Sequence, residues 1–157
     1  MPFFRNKTEI QKLIARLSHS NRDNRREAAG ALGRLGDTSA VRPLIGVLSD
    51  THYDVRGAAV SALGRLGDKS ATSSLIDALS DADRDVRRSA TEALGRLGDK
   101  SAVPSLIEAL ADKDIHVVRS ATEALGRQSD TLYQPCRMMS CILNLFNTSA
   151  NLCPTYA

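Results

Sequence analysis

Nine arginines occupy a four-residue grid in four short stretches of this 157-residue chain: Arg22, Arg26 and Arg34, then Arg65, then Arg84, Arg88 and Arg96, then Arg119 and Arg127. The remaining grid positions are Gly30, Tyr53, Gly57, Ser61, Glu92, Ile115 and Glu123. A guanidinium is a rigid fork of donors that meets carboxylate or phosphate bidentately, so the chemistry on offer is anion binding. Nine arginines against two glutamates give the grid a charge of +7, more than the +3 of the whole chain. The adjacent column adds Asp23, Glu27, Asp54 and Asp85 and brings the local sum back to +3. What singles the grid out is its first column, Arg22, Tyr53, Arg84 and Ile115, which varies where the surrounding sequence is monotonous. We take Arg22, Arg26, Tyr53, Arg65, Arg84, Arg88, Arg96, Ile115, Arg119 and Arg127 as the candidate binding residues.

Catalytic chemistry has less to stand on. His19, His52 and His116 are followed by Ser, Tyr and Val and lack metal-ligand spacing, so no metal or cofactor is expected. The string Gly33-Arg34-Leu35-Gly36 fits the G-x-x-G of loops that clamp a nucleic-acid backbone. Its return at regular intervals, without flanking strands, assigns it to packing and to capping of helices instead. With aromatics at 4% and no Trp, a platform for stacking bases is thin.

The elements that hold the grid follow from a repeat. Leu32-Gly33-Arg34-Leu35-Gly36-Asp37 returns at 63–68 and 94–99, and a fourth copy begins at Leu125-Gly126-Arg127. The period of 31 residues divides the chain into units 7–37, 38–68, 69–99 and 100–130. A fixed period in this range marks a solenoid, which needs at least three units to bury a shared core. Each unit reads as two helices. Ile10, Leu13, Ile14 and Leu17 and their equivalents line one face of the first. In the second, Val55, Ala59, Ala62, Leu63 and Leu66 and their equivalents do the same. Asp54 and Asp85 suit the N-cap of the second helix. Gly36, Gly67 and Gly98 suit the left-handed residue that ends it, with the following Asp capping the next helix. The first unit places Asn24 where later units have Val, as expected of a terminal cap with a polar outer face. The fold expected is all-α: a right-handed α-solenoid of four helix pairs.

The pattern Asp-Val-Arg-x-x-Ala-x-x-Ala-Leu-Gly-Arg-Leu-Gly-Asp runs through Asp54–Asp68 and Asp85–Asp99, with Ser or Thr in places, and continues to Ile76 and Ile107. It resembles the short HEAT-like repeats typified by phycobilisome bilin lyases, and the resemblance covers residues 7–127. It implies a ladder between units, in which a turn Asp (Asp50, Asp81, Asp112) meets a second-helix Arg (Arg25, Arg56, Arg87). His19 and Val118 depart from that pattern at the two ends. Charges repeated in every unit are scaffold, because an active site is normally made once. The resemblance to HEAT-like di-iron hydroxylases such as deoxyhypusine hydroxylase would bring repeated His-Glu pairs, and the chain has none.

At residue 128 the composition breaks. Residues 128–157 hold two charged residues, Asp130 and Arg137, and all three cysteines, Cys136, Cys141 and Cys153. Residues 1–6 therefore read as a lead, 7–130 as the repeat domain and 131–157 as a divergent tail. Met138, Cys141, Ile142 and Leu145 have helical spacing, so a short helix over 134–146 is one reading of the tail. A frameshift that truncates a longer array is the other. Neither a secretory h-region nor an apolar run near 18 residues occurs, which points to a cytoplasmic, non-membrane chain. The function expected is a non-catalytic scaffold that holds an acidic protein partner in the groove lined by the second helices. The resemblance implies an alternative, a subunit of a phycobilin lyase or a factor that handles a phycobiliprotein. Arg84, Arg88 or Arg119 would then meet bilin propionates and Tyr53 the tetrapyrrole. A third reading, less favoured, is a nucleic-acid binder like the HEAT-like DNA glycosylases.

Overall fold

The computed structural model describes residues 3–129. Among them the elements are helices: α1 (Phe3–Arg16), α2 (Arg22–Leu35), α3 (Val41–Val47), α4 (Tyr53–Leu66), α5 (Thr72–Asp77), α6 (Arg84–Leu97), α7 (Val103–Glu108) and α8 (Ile115–Ser129). Short 3-10 turns precede α3, α5 and α7 and follow α5 and α7. The expected helix at 134–146 lies outside the described residues. No described helix is long and apolar enough to cross a membrane.

Local chemistry sets the joints. Gly36, Gly67 and Gly98 end α2, α4 and α6 with φ of 72°, 69° and 60°, where a side chain would be strained. The next residue, Asp37, Asp68 or Asp99, accepts a hydrogen bond from the backbone N–H of Ser39, Ser70 or Ser101 and starts a 3-10 turn. The second-helix N-caps differ from expectation. Asp54 and Asp85 sit inside the first turn, where they complement the helix dipole. The capping positions are two residues earlier, at His52 and Asp83, with Asn21 the equivalent in α2. Asn21 and Asp83 cap through their side chains, and His52 does not.

The core is a row of identical layers. Leu32, Leu63 and Leu94 from the second helices, and Leu44, Leu75 and Leu106 from the first, are fully buried. The ends of the pattern fade: Leu35 in the first unit is 38% exposed, whereas its equivalent Leu97 is buried. Gln128 takes the corresponding place in the fourth unit; it is buried, and its Nε2 donates to the Leu94 carbonyl at 3.5 Å. Thr72, in a column otherwise of Ile10, Val41 and Val103, is buried with its hydroxyl donating to Asp99 at 2.9 Å. Asn24, the polar exception, is half-buried and receives a hydrogen bond from Arg16.

Successive second helices pack directly on one another, α2 on α4 on α6 on α8, while first helices touch each other far less. The cause is a glycine. A Cβ placed on Gly33 would lie 2.7 Å from Cα of Ala62, one on Gly64 2.9 Å from Cα of Ala93, and one on Gly95 3.0 Å from Cα of Ala124. The first glycine of each G-x-x-G thus admits the neighbouring backbone, and the second ends the helix. Gly64→Ala is expected to destabilise by about 1–3 kcal/mol through overpacking, against a helix-propensity gain of at most about 1 kcal/mol. Gly46→Ala in α3, where nothing lies within 4 Å, is expected to be neutral or slightly stabilising. Urea titration of the two variants checks the contrast.

Candidate functional site: the second-helix face and its charges

Two sets of charges occupy the second helices. The first set is structural. Arg25, Arg56 and Arg87 each reach into the following unit, where Nε and Nη2 grip both oxygens of Asp50, Asp81 and Asp112 at 2.6–3.1 Å. The remaining nitrogen, Nη1, donates to two backbone carbonyls in the arginine's own turn, residues 19 and 20, 50 and 51, or 81 and 82. Each guanidinium therefore ties its own turn to the next one.

The carboxylates are equally occupied. Asp50, Asp81 and Asp112 also accept from the backbone N–H two residues on. In the first described turn His19 stands where Asp50 stands in the next, and its Nδ1 takes over that second task, accepting from Asn21 N–H at 3.0 Å. The departure at His19 thus loses a rung and keeps the turn. The Arg25 and Arg87 hydrogen bonds hold Asp50 and Asp112 below the usual carboxylate range. Burial pulls Asp81 upward, but the bonds from Arg56 and from Asp83 N–H outweigh it and its pKa is lowered too.

The second set is the arginine grid, carried by the same helices, with Arg22, Tyr53 and Arg84 one turn before Arg25, Arg56 and Arg87. All ten candidate residues are on second helices and, apart from the half-buried Arg88, exposed. Tyr53 and Ile115, at the first positions of α4 and α8, are 54% and 72% exposed, unusual for large apolar side chains. Stacking of the second helices aligns the columns side by side. Arg22, Tyr53, Arg84 and Ile115 form one edge, and Arg34, Arg65, Arg96 and Arg127 the other.

Within the grid the arginines are not equivalent. Glu92 lies 3.9 Å from Arg88 and 3.7 Å from Arg96; Glu123 lies 3.7 Å from Arg119 and 3.8 Å from Arg127. Arg84 reaches Asp114 of the next unit at 3.6 Å. Arg88 also approaches Asp85, and Arg26 approaches Asp23 at 3.9 Å. Among the described residues, no carboxylate comes within 4 Å of Arg22, Arg34 or Arg65. Arg34, a grid position outside the ten candidates, belongs with these. No cluster of three metal-ligating side chains forms among the described residues.

Comparison with known proteins gives a consistent picture. The profile of the HEAT repeats matches residues 10–90 and 72–134. No curated protein matches by sequence. Among solved structures, the chain is similar to the complex of CpcE and CpcF of phycocyanin lyase from Nostoc sp. PCC7120, with 30% identity and a TM-score of 0.70. That match covers 84% of this chain and 61% of the other, so the chain spans less than two thirds of its relative. Human deoxyhypusine hydroxylase in complex with glycerol is similar at 25% identity and TM-score 0.69, over 80% of this chain and 45% of the hydroxylase. Computationally designed armadillo repeat proteins share the fold at 22% identity and TM-score 0.60, over 73% of this chain and 62% of theirs.

Proposed function

The chain belongs to the HEAT repeat family, and from that premise we propose that it is a non-catalytic scaffold holding an acidic protein surface against its second-helix face. The observation that carries the reading is the arginine grid: nine guanidinium groups, all at least partly open to solvent, on a scaffold whose structural arginines are already engaged elsewhere. The packing supports it as well. Second helices that approach more closely than first helices are what a groove lined by the second helices requires.

The test uses the partner recovered from the native host and a variant with Arg26, Arg65, Arg88 and Arg119 changed to Glu. Opposite charges across an interface speed encounter, and salt screens them. The wild type is expected to associate more slowly as salt rises, and the variant to associate about tenfold more slowly or worse at low salt. Wild-type affinity in the variant would remove the face from consideration. Recovery sensitive to nuclease, with affinity falling linearly in log–log plots against salt, would favour nucleic acid instead.

The 30% identity to the phycocyanin lyase complex favours a second reading, in which the chain is a component of a bilin lyase and its partner a phycobiliprotein. Arg84, Arg88 or Arg119 would meet the propionates and Tyr53 the tetrapyrrole. Binding of a bilin that is insensitive to salt and weakened as much by Tyr53→Ala as by an Arg change is the result that supports it.

A further inference from the structure

We propose that the acidic segment docks on the N-terminal half of the face, on Arg34 and Arg65 with Arg22 and Arg26 beside them, because in the C-terminal half Arg88, Arg96, Arg119 and Arg127 already have Glu92 or Glu123 within ion-pair reach. The inference rests on the reading of the second-helix face as a protein-binding surface and says which part of it does the binding.

The argument is one of positions between arginines. A residue flanked by grid arginines four before and four after can touch both, since i and i+4 are neighbours on a helix. In α6 and α8 that residue is Glu92 or Glu123, and each bridges the two arginines around it. In α2 and α4 the same position is Gly30 or Ser61, which carry no charge. Arg34 lies back over Gly30, its Nη1 only 3.5 Å from where a Cβ would sit, and finds no acid there. Arg65 has Ser61 and Gly57 four and eight positions before it and, among the described residues, likewise no carboxylate within 4 Å. A partner carboxylate arriving at Arg34 or Arg65 has no internal ion pair to displace. At Arg96 or Arg127 it competes with a glutamate already in reach, and it is repelled by that glutamate.

Small side chains at Gly30, Gly57 and Ser61 also leave a shallow floor between the guanidinium groups, so an extended backbone can approach. Neighbouring packed helices are about 8–10 Å apart, and an extended chain advances about 3.3 Å per residue. Arg34 and Arg65 therefore match carboxylates two to three residues apart on an extended acidic segment.

The probe is a fluorescent ten-residue peptide of alternating Glu and Ser, titrated into the full chain at low salt. R34E/R65E is expected to weaken binding about tenfold or more, while R96E/R127E, an identical change in net charge, weakens it by no more than about threefold. E92S/E123S, which frees the C-terminal arginines, is expected to strengthen binding several-fold. Equal losses in the two arginine doubles, or no gain in E92S/E123S, would overturn the location while leaving the face as the binding surface. Absence of peptide binding by the wild type would overturn the location outright. The recovered partner, tested on the fourfold variant, decides the face separately. Circular dichroism on each variant confirms that the helices persist.

Discussion

Leu94→Ala is expected to lower the free energy of unfolding by about 2–5 kcal/mol, as truncation of a fully buried leucine does when its surroundings cannot collapse. Leu94 is fully buried in the third unit, and its surroundings are constrained on both sides by the close passage of α6 past α4 and α8. Leu75→Ala, in the first helix of the same unit, is expected to fall in the same range. Leu35→Ala is the internal control: it belongs to a core column by sequence but is 38% exposed, so its cost is expected to be well under half as large. Denaturant titration of the three variants decides. Equal losses at Leu35 and Leu94 would mean that the end unit is as tightly buried as the centre, contrary to the layering described above.

The second large effect belongs to the ladder. Replacing Arg56 by Met keeps the stem but strips Asp81 of two hydrogen bonds and leaves the carbonyls of Asp50 and Thr51 without their donor. Exposed ion pairs contribute at most about 1 kcal/mol, and breaking a fully buried pair costs about 3–5 kcal/mol. The Arg56 and Asp81 side chains are 16% and 11% exposed, so a loss of about 2–3 kcal/mol is expected. The same pairs predict an acid limb. Carboxylates held below their unfolded pKa, about 3.9, bind protons more weakly in the folded state than in the unfolded one. Their contribution is complete above that value and is lost as pH falls through the lowered folded pKa. Asp81→Asn removes one titrating rung and is expected to flatten the stability profile below about pH 4, as measured by urea midpoints across pH.

The repeat makes the layers legible in the sequence, because a buried column such as those through Leu63 and Leu75 must keep its residue type at every turn of the array. The pairing of Arg56 with Asp81 follows from the resemblance to HEAT-like repeats, not from the period. The helix starts are not legible in either way. Asp83 and Asp85 are both good capping residues two positions apart, and only the turn made by Asp81, which accepts from Asp83 N–H, decides that the earlier one caps. The recurrence of G-x-x-G points to packing and capping, but which glycine does which depends on how closely α4 and α6 pass. On the candidate face, helical spacing puts the arginines away from the core, and all but the half-buried Arg88 are exposed. It ranked Arg88 and Arg119 with Arg65, whereas the glutamates one turn away separate them.

The glycine–alanine contacts between second helices also act mechanically. Where Gly64 admits Ala93 and Gly95 admits Ala124, backbone rests on side-chain root and backbone, with no long side chain in between to compress or swing aside. The row α2, α4, α6, α8 is therefore a nearly inextensible spine. The first helices, which touch one another far less, form the compliant layer. Bending or stretching of such an array falls on the layer of first helices, and the pitch of the spine is conserved. The arginine columns are thus carried on a ruler whose graduations stay fixed while the rest of the solenoid yields.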